Sequence, residues 1–132
     1  METYSDLKQR QQQAVNDFPM AFAFSDKQLE EALVKLDAKV EDCCSIPGGG
    51  IIKKSDSKLL SSMISQHVTE MDKSLADDNF MIDALVYELG NHEYCITYDL
   101  TDTLGVLGLD ADDDRVQRLL VAAKNTYMEG LE

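Results

Sequence analysis

His92 and Cys95 stand three residues apart in Asn91-His-Glu-Tyr-Cys95, the most chemically loaded run of the chain. On a helix that spacing puts both on one face. An imidazole and a thiolate there would make half of a zinc site, or a base and nucleophile with Cys95 attacking. The other half of a metal site would have to come from Cys43 and Cys44, whose adjacency does not match zinc-knuckle spacing. The plain alternative makes Cys95 a small buried hydrophobe and His92 a hydrogen-bonded structural residue.

Two further clusters bear on chemistry. Asp110, Asp112 and Asp114 fall at the first, third and fifth positions of a calcium loop. The pattern then fails, with Arg115 where the turn needs glycine and Val121 where a bidentate glutamate belongs. Acids at that spacing suit a helix start, where Asp110 would cap free N–H groups. Gly48-Gly-Gly50 precedes Lys53, Lys54 and a helix start at Ser55, the ingredients of a phosphate cradle without the spacing of a P-loop. Lys53 and Lys54 are therefore kept as a weak anion contact, and His92 with Cys95 as a weak metal pair. No catalytic residue and no cofactor is expected.

The elements that must position these groups follow from periodicity. A first helix, about Thr3 to Asp17, carries sparse apolar positions and ends at Phe18-Pro19. Met20-Ala-Phe-Ala-Phe24 alternates like a short strand. Ser25 and Gln28 form a capping box for a second helix with Leu29, Ala32, Leu33 and Leu36 on one face. Val40 to Ile46 reads as irregular, Pro47-Gly-Gly-Gly50 as a turn and Ile51-Ile-Lys53 as a second strand. The two strands are expected to pair, parallel or antiparallel. Ser55 opens a third helix with Leu60, Met63, Ile64, His67, Val68, Met71 and Leu75 on its apolar face. Apolar residues from Met81 to Tyr87 nearly encircle a fourth helix, which should be the buried centre. Asp99 starts a short helix that stops at Gly108, and Asp110 starts a last one with the stripe Val116, Leu119, Leu120, Ala123 and Tyr127. The expected class is α+β, predominantly helical, with about six helices around one short two-stranded β-pair in a single domain spanning residues 1–132.

Charge narrows the function. The net formal charge is −13, of which −10 falls in residues 77–132. Such a field repels nucleic acid and anionic membrane and favours a basic protein partner. No apolar run reaches the length of a membrane span. An odd cysteine count with an adjacent pair suits reduced thiols. Together these place the expectation in the cytoplasm.

Three stretches, Phe18-Pro-Met-Ala-Phe-Ala-Phe-Ser25, Gly48-Gly-Gly-Ile-Ile-Lys-Lys-Ser-Asp-Ser57 and Tyr87-Glu-Leu-Gly-Asn-His-Glu-Tyr-Cys95, resemble an uncharacterised family of short acidic proteins from bacteria and their phages or mobile elements. The resemblance runs over roughly residues 4 to 109, and the family pattern has alanine where Gly90 stands. It carries no known activity, so no residue inherits a role. It implies a small accessory protein, located in the host-cell cytoplasm if phage-encoded. The leading expectation is an acidic interaction module that inhibits or regulates a host nucleic-acid-binding protein, of anti-CRISPR or DNA-mimic type. Its contact surface would be Asp77, Asp78, Asp110, Asp112, Asp113 and Asp114. A small metal-binding module or enzyme using His92 and Cys95, and a structural helix-mediated oligomer, are the alternatives.

Overall fold

The computed structural model describes residues 2–131. It contains seven α-helices and three short strands among the described residues. They are α1 (Tyr4–Asp17), β1 (Ala21–Phe22), α2 (Asp26–Leu36), β2 (Cys43–Ile46), β3 (Gly50–Lys53), α3 (Ser57–Leu75), α4 (Asp78–Asn91), α5 (Tyr94–Thr97), α6 (Thr101–Leu107) and α7 (Asp114–Glu129). The expected α+β class with helix predominant holds, but the β-pair is a three-stranded antiparallel sheet.

The chain divides into two compact units, residues 1–10 with 69–132, and residues 11–68. Consequently α1 and α3 each contribute residues to both.

In the first unit, α4 is the centre, as its all-round apolar sequence requires. Ala84, Leu85 and Leu89 have no exposed surface. The last helix buries all five residues of its expected stripe, Val116, Leu119, Leu120, Ala123 and Tyr127. Tyr4 and Leu7 from the start of α1 join this core. Thr3 and Asp6 exchange side-chain and backbone bonds at that helix start, a reciprocal cap. Gly108 adopts the left-handed conformation that ends α6.

In the second unit, Ser25 Oγ accepts from Gln28 N–H, while Gln28 Oε1 accepts from Phe24 N–H at 2.7 Å. The capping box forms with its return bond displaced by one residue. The order of the sheet is β1-β3-β2. Ala21 opposes Ile51, so the expected strand pair is antiparallel. The stretch expected to be irregular contains the third strand: Cys44 opposes Ile52 and Ile46 opposes Gly50. Cys-Cys-Ser-Ile lacks the polar–apolar alternation that marks a strand from sequence, and the tight turn supplies its register instead. Gly48 and Gly49 both have φ near +85°, and the ring of Phe24 lies against Gly49 where a side chain would stand. Ala21, Ala32, Leu36 and Ile51 form the small core between α2 and the sheet. The third helix begins through a 3₁₀ turn, Lys54–Asp56, that contains Ser55, and no side chain caps that turn.

Candidate functional site

The densest polar arrangement was not expected from sequence. Glu88, in the buried centre of α4, has a side chain with no exposed surface. Its Oε1 accepts from Tyr4 Oη at 2.7 Å and from Lys8 Nζ at 2.8 Å. Its Oε2 lies 3.1 Å from His92 Nε2, a hydrogen bond when that nitrogen carries the proton, and 3.4 Å from Asn91 Nδ2. The geometry follows from helix spacing. Tyr4 and Lys8 are one turn apart on α1, and Glu88 and His92 one turn apart at the end of α4. The Lys8 ammonium also sits over the rings of Tyr4 and Tyr87, at 5.6 and 5.2 Å from their centroids. Burial opposes ionisation of Glu88 more than any other single influence, yet the bonds from Lys8 and Tyr4 outweigh it and hold the carboxyl below its usual range. Burial, reinforced by the bond to Glu88, raises the Tyr4 phenol. A carboxylate this enclosed is a structural anchor: its side-chain partners all belong to the same unit.

The sequence did hold a sign of Glu88. A charged residue in a helix apolar on every side must be paired. The identity of its remote partners, Tyr4 and Lys8 at the other end of the unit's sequence, carried no local signal.

His92 and Cys95 are not on one helix. His92 ends α4, Glu93 takes a left-handed conformation with φ +54°, and Cys95 lies in the separate short helix α5. The shared-face premise for a metal pair therefore fails at Glu93. The Cys95 N–H donates to Tyr127 Oη at 3.2 Å, and the His92 ring is engaged with Glu88. Among the described residues no three His, Cys, Asp or Glu side chains converge in a way that would hold a metal ion.

All six acids of the expected contact surface are exposed in the first unit. Asp77 caps α4 by accepting from Phe80 N–H at 2.9 Å. Asp113, not Asp110, caps α7, accepting from Val116 N–H at 3.0 Å. Asp110 instead closes a turn through Asp112 N–H at 2.9 Å. The helix starts later than expected because three consecutive aspartates each offer a capping carboxylate. Asp110 is engaged by Asp112 N–H, and Asp113 is the one whose oxygen meets the first turn. Arg115 binds Asp78 at 2.8 Å and also donates to the carbonyls of Leu75 and Ala76 at the end of α3. Arg118 lies 3.8 Å from the same carboxylate. Asp78 is thus neutralised, and among the described residues the other five acids form no salt bridge.

Lys53 and Lys54 line a cleft of about 340 Å³ in the second unit, together with Asp37, Ala38, Asp42 and Ser55. The two aspartates give this cleft mixed charge, which weakens the field an anion would meet.

No helix is long and apolar enough to cross a membrane among the described residues. No curated protein and no solved structure matches the chain. Residues 3–126 match a family of unknown function, DUF7659, and the chain belongs to that family.

Proposed function

We propose that the chain is an acidic protein-interaction module that inhibits or regulates a nucleic-acid-binding protein by occupying its basic groove, as a DNA mimic or anti-CRISPR protein of a bacterium or its phage would. The observation that carries this reading is the exposure of Asp77, Asp110, Asp112, Asp113 and Asp114 without cationic partners among the described residues. Capping and turn bonds hold Asp77, Asp110 and Asp113 in place. Carboxylates already fixed lose little side-chain entropy on meeting a partner's lysines and arginines. Arg115 and Arg118 both lie against Asp78, so their charge offsets that carboxylate rather than the other five.

The test is a bait experiment in bacterial lysate at low and high salt. The Asp110→Asn/Asp112→Asn/Asp114→Asn chain runs in parallel, and duplex DNA serves as competitor. Capture of a nucleic-acid-binding protein that weakens with salt, with DNA and in the triple variant is expected. Capture indifferent to all three rejects the reading.

A further inference from the structure

In the 11–68 unit, α2 covers one face of the sheet incompletely. Ala32 and Leu36 are buried, while Leu29 and Leu33, on the next flank of the helix, stay partly open. Between that flank and β2 runs an apolar groove made of two clefts, of about 310 and 230 Å³, which share Leu29, Ser45 and Ile51. Phe24 and Val40 line it and are 75% and 58% exposed.

The groove borders an unpaired strand edge. β2 lies at the outside of the sheet. The Cys43 N–H is turned out of the ladder to the Val40 carbonyl. The alternation of an antiparallel pair then assigns the bonds to β3 to Cys44 and Ile46 and points the N–H and C=O of Ser45 outward. The far side of β3 has the matching phase, since Ala23 N–H bonds Gly49 O at 3.1 Å and Ala21 opposes Ile51. A backbone edge of this kind is complementary to another extended backbone.

Charge identifies the side chains such a backbone would bring. Asp26 and Glu30 are exposed, one turn apart, on the flank of α2 that carries Leu29 and Leu33, and Asp26 lines the groove itself. Glu41 and Asp42, also exposed, form the 3₁₀ turn that leads into β2. Lys39, just before that turn, is the cation nearest to them in sequence.

We propose that the β2 edge and its groove bind an extended, basic peptide segment of a partner protein as a fourth strand. Ser45 exchanges backbone hydrogen bonds with the peptide. Every second side chain of the peptide faces the groove: apolar ones among these enter beside Leu29 and Leu33, and lysines among these face Asp26 and Glu30. This surface belongs to the 11–68 unit and does not depend on the six aspartates of the other unit.

The experiment is a fluorescence-anisotropy titration of the full chain into a labelled decapeptide with threonine at every second position and valine and lysine in turn at the positions between, and a control decapeptide carries glutamate in place of lysine. Saturable binding of the basic peptide alone is expected. Ser45→Pro removes only an outward donor, a position where an edge strand accepts proline, and should weaken binding about tenfold. Asp26→Lys/Glu30→Lys lies on the exposed helix flank, leaves the Ser25 cap in place and should weaken it at least as much. Circular dichroism verifies that each variant is folded. Binding unchanged in both folded variants overturns the proposal, as does equal binding of the acidic peptide. A dimer in analytical ultracentrifugation that Ser45→Pro dissolves would show that a second copy fills the edge, and would overturn it too. Loss of salt-sensitive capture in the aspartate triple variant, with peptide binding intact, would leave the two surfaces separately established.

Discussion

Tyr4 Oη and Glu88 Oε1 lie 2.7 Å apart although 84 positions of sequence separate them. The bond joins the first turn of α1 to the buried centre of α4, and Lys8 shares the same oxygen at 2.8 Å. Glu88 has no exposed surface, so each partner removed leaves part of a buried charge uncompensated.

Lys8→Met should therefore cost about 1–3 kcal/mol of folding free energy. That is less than a wholly buried pair would lose, because Lys8 is 42% exposed and Tyr4 remains bonded to the carboxylate. Tyr4→Phe, which keeps the ring in the core, should cost about 1–2 kcal/mol. Urea unfolding measures both. If Lys8→Met were neutral, the ammonium would contribute nothing to the ionisation of Glu88.

The same network sets a pH window. Glu88 is held below its unfolded range because the bonds from Lys8 and Tyr4 overcome the effect of burial. Its contribution is complete above the unfolded carboxylate value of about 4.3 and is lost as pH falls through the lower folded value. Tyr4 is raised by burial and by Glu88. Its contribution is complete below about pH 10 and is lost as pH rises through the folded value. Tyr127, raised chiefly by its bond with the Cys95 side chain, adds to the alkaline loss. The urea midpoint should be flat between these limits and fall on both sides. In Tyr4→Phe the alkaline fall should shrink, and in Lys8→Met the acid fall should shrink, because the folded value of Glu88 moves up towards the unfolded one. Unchanged limbs in the two variants would assign the losses to other groups.

Gly90 lies inside α4, and a Cβ built there would meet only Tyr127 Cε2, at 3.8 Å. That is ordinary contact, and the position does not require positive φ. Gly90→Ala should stabilise the chain by up to about 1 kcal/mol, through helix propensity and a less free unfolded state. Thermal unfolding would show a rise of several degrees. A fall would mean that the α4 end needs the flexibility of glycine.

The start of α7 distinguishes two neighbouring aspartates. Asp113→Ala removes the bond to Val116 N–H and should cost about 1 kcal/mol. Asp110→Ala loses only a surface turn bond and should stay within about 0.5 kcal/mol of the parent. Equal losses in urea titration would restore Asp110 as the cap.

Periodicity revealed what depends on one helix at a time. The stripe from Val116 to Tyr127 and the buried centre of α4 were legible because each helix must hide its apolar side chains, whatever it packs against. The strand Cys43–Ile46 was hidden because it has no alternation of its own and exists through pairing with β3. Ile64 and Val68, expected on the buried face of α3, are 52% and 55% exposed; apolar spacing identifies a stripe but not whether a neighbour covers its whole width. The separation of His92 and Cys95 onto two helices was not legible, because it turns on the left-handed conformation of one residue, Glu93. The exposed acids were readable from composition, whereas the neutralisation of Asp78 by Arg115, 37 positions away, was not.

The unit built around α4 takes its first ten residues from before the 11–68 unit and the rest from after it. During synthesis this nests one folding event inside another. At roughly 5–20 residues per second, Tyr4 leaves the ribosome about 4–17 s before Glu88, its hydrogen-bond partner 84 positions on. Over that interval Tyr4 and Leu7, among the most deeply buried side chains of the finished molecule, have no core to enter, while the intervening unit is completed at Val68, before Glu88 appears. The N-terminal turn is thus the earliest part of its unit to be made and the last whose place becomes available, which exposes it to chaperones and proteases for as long as the second half of the chain takes to appear.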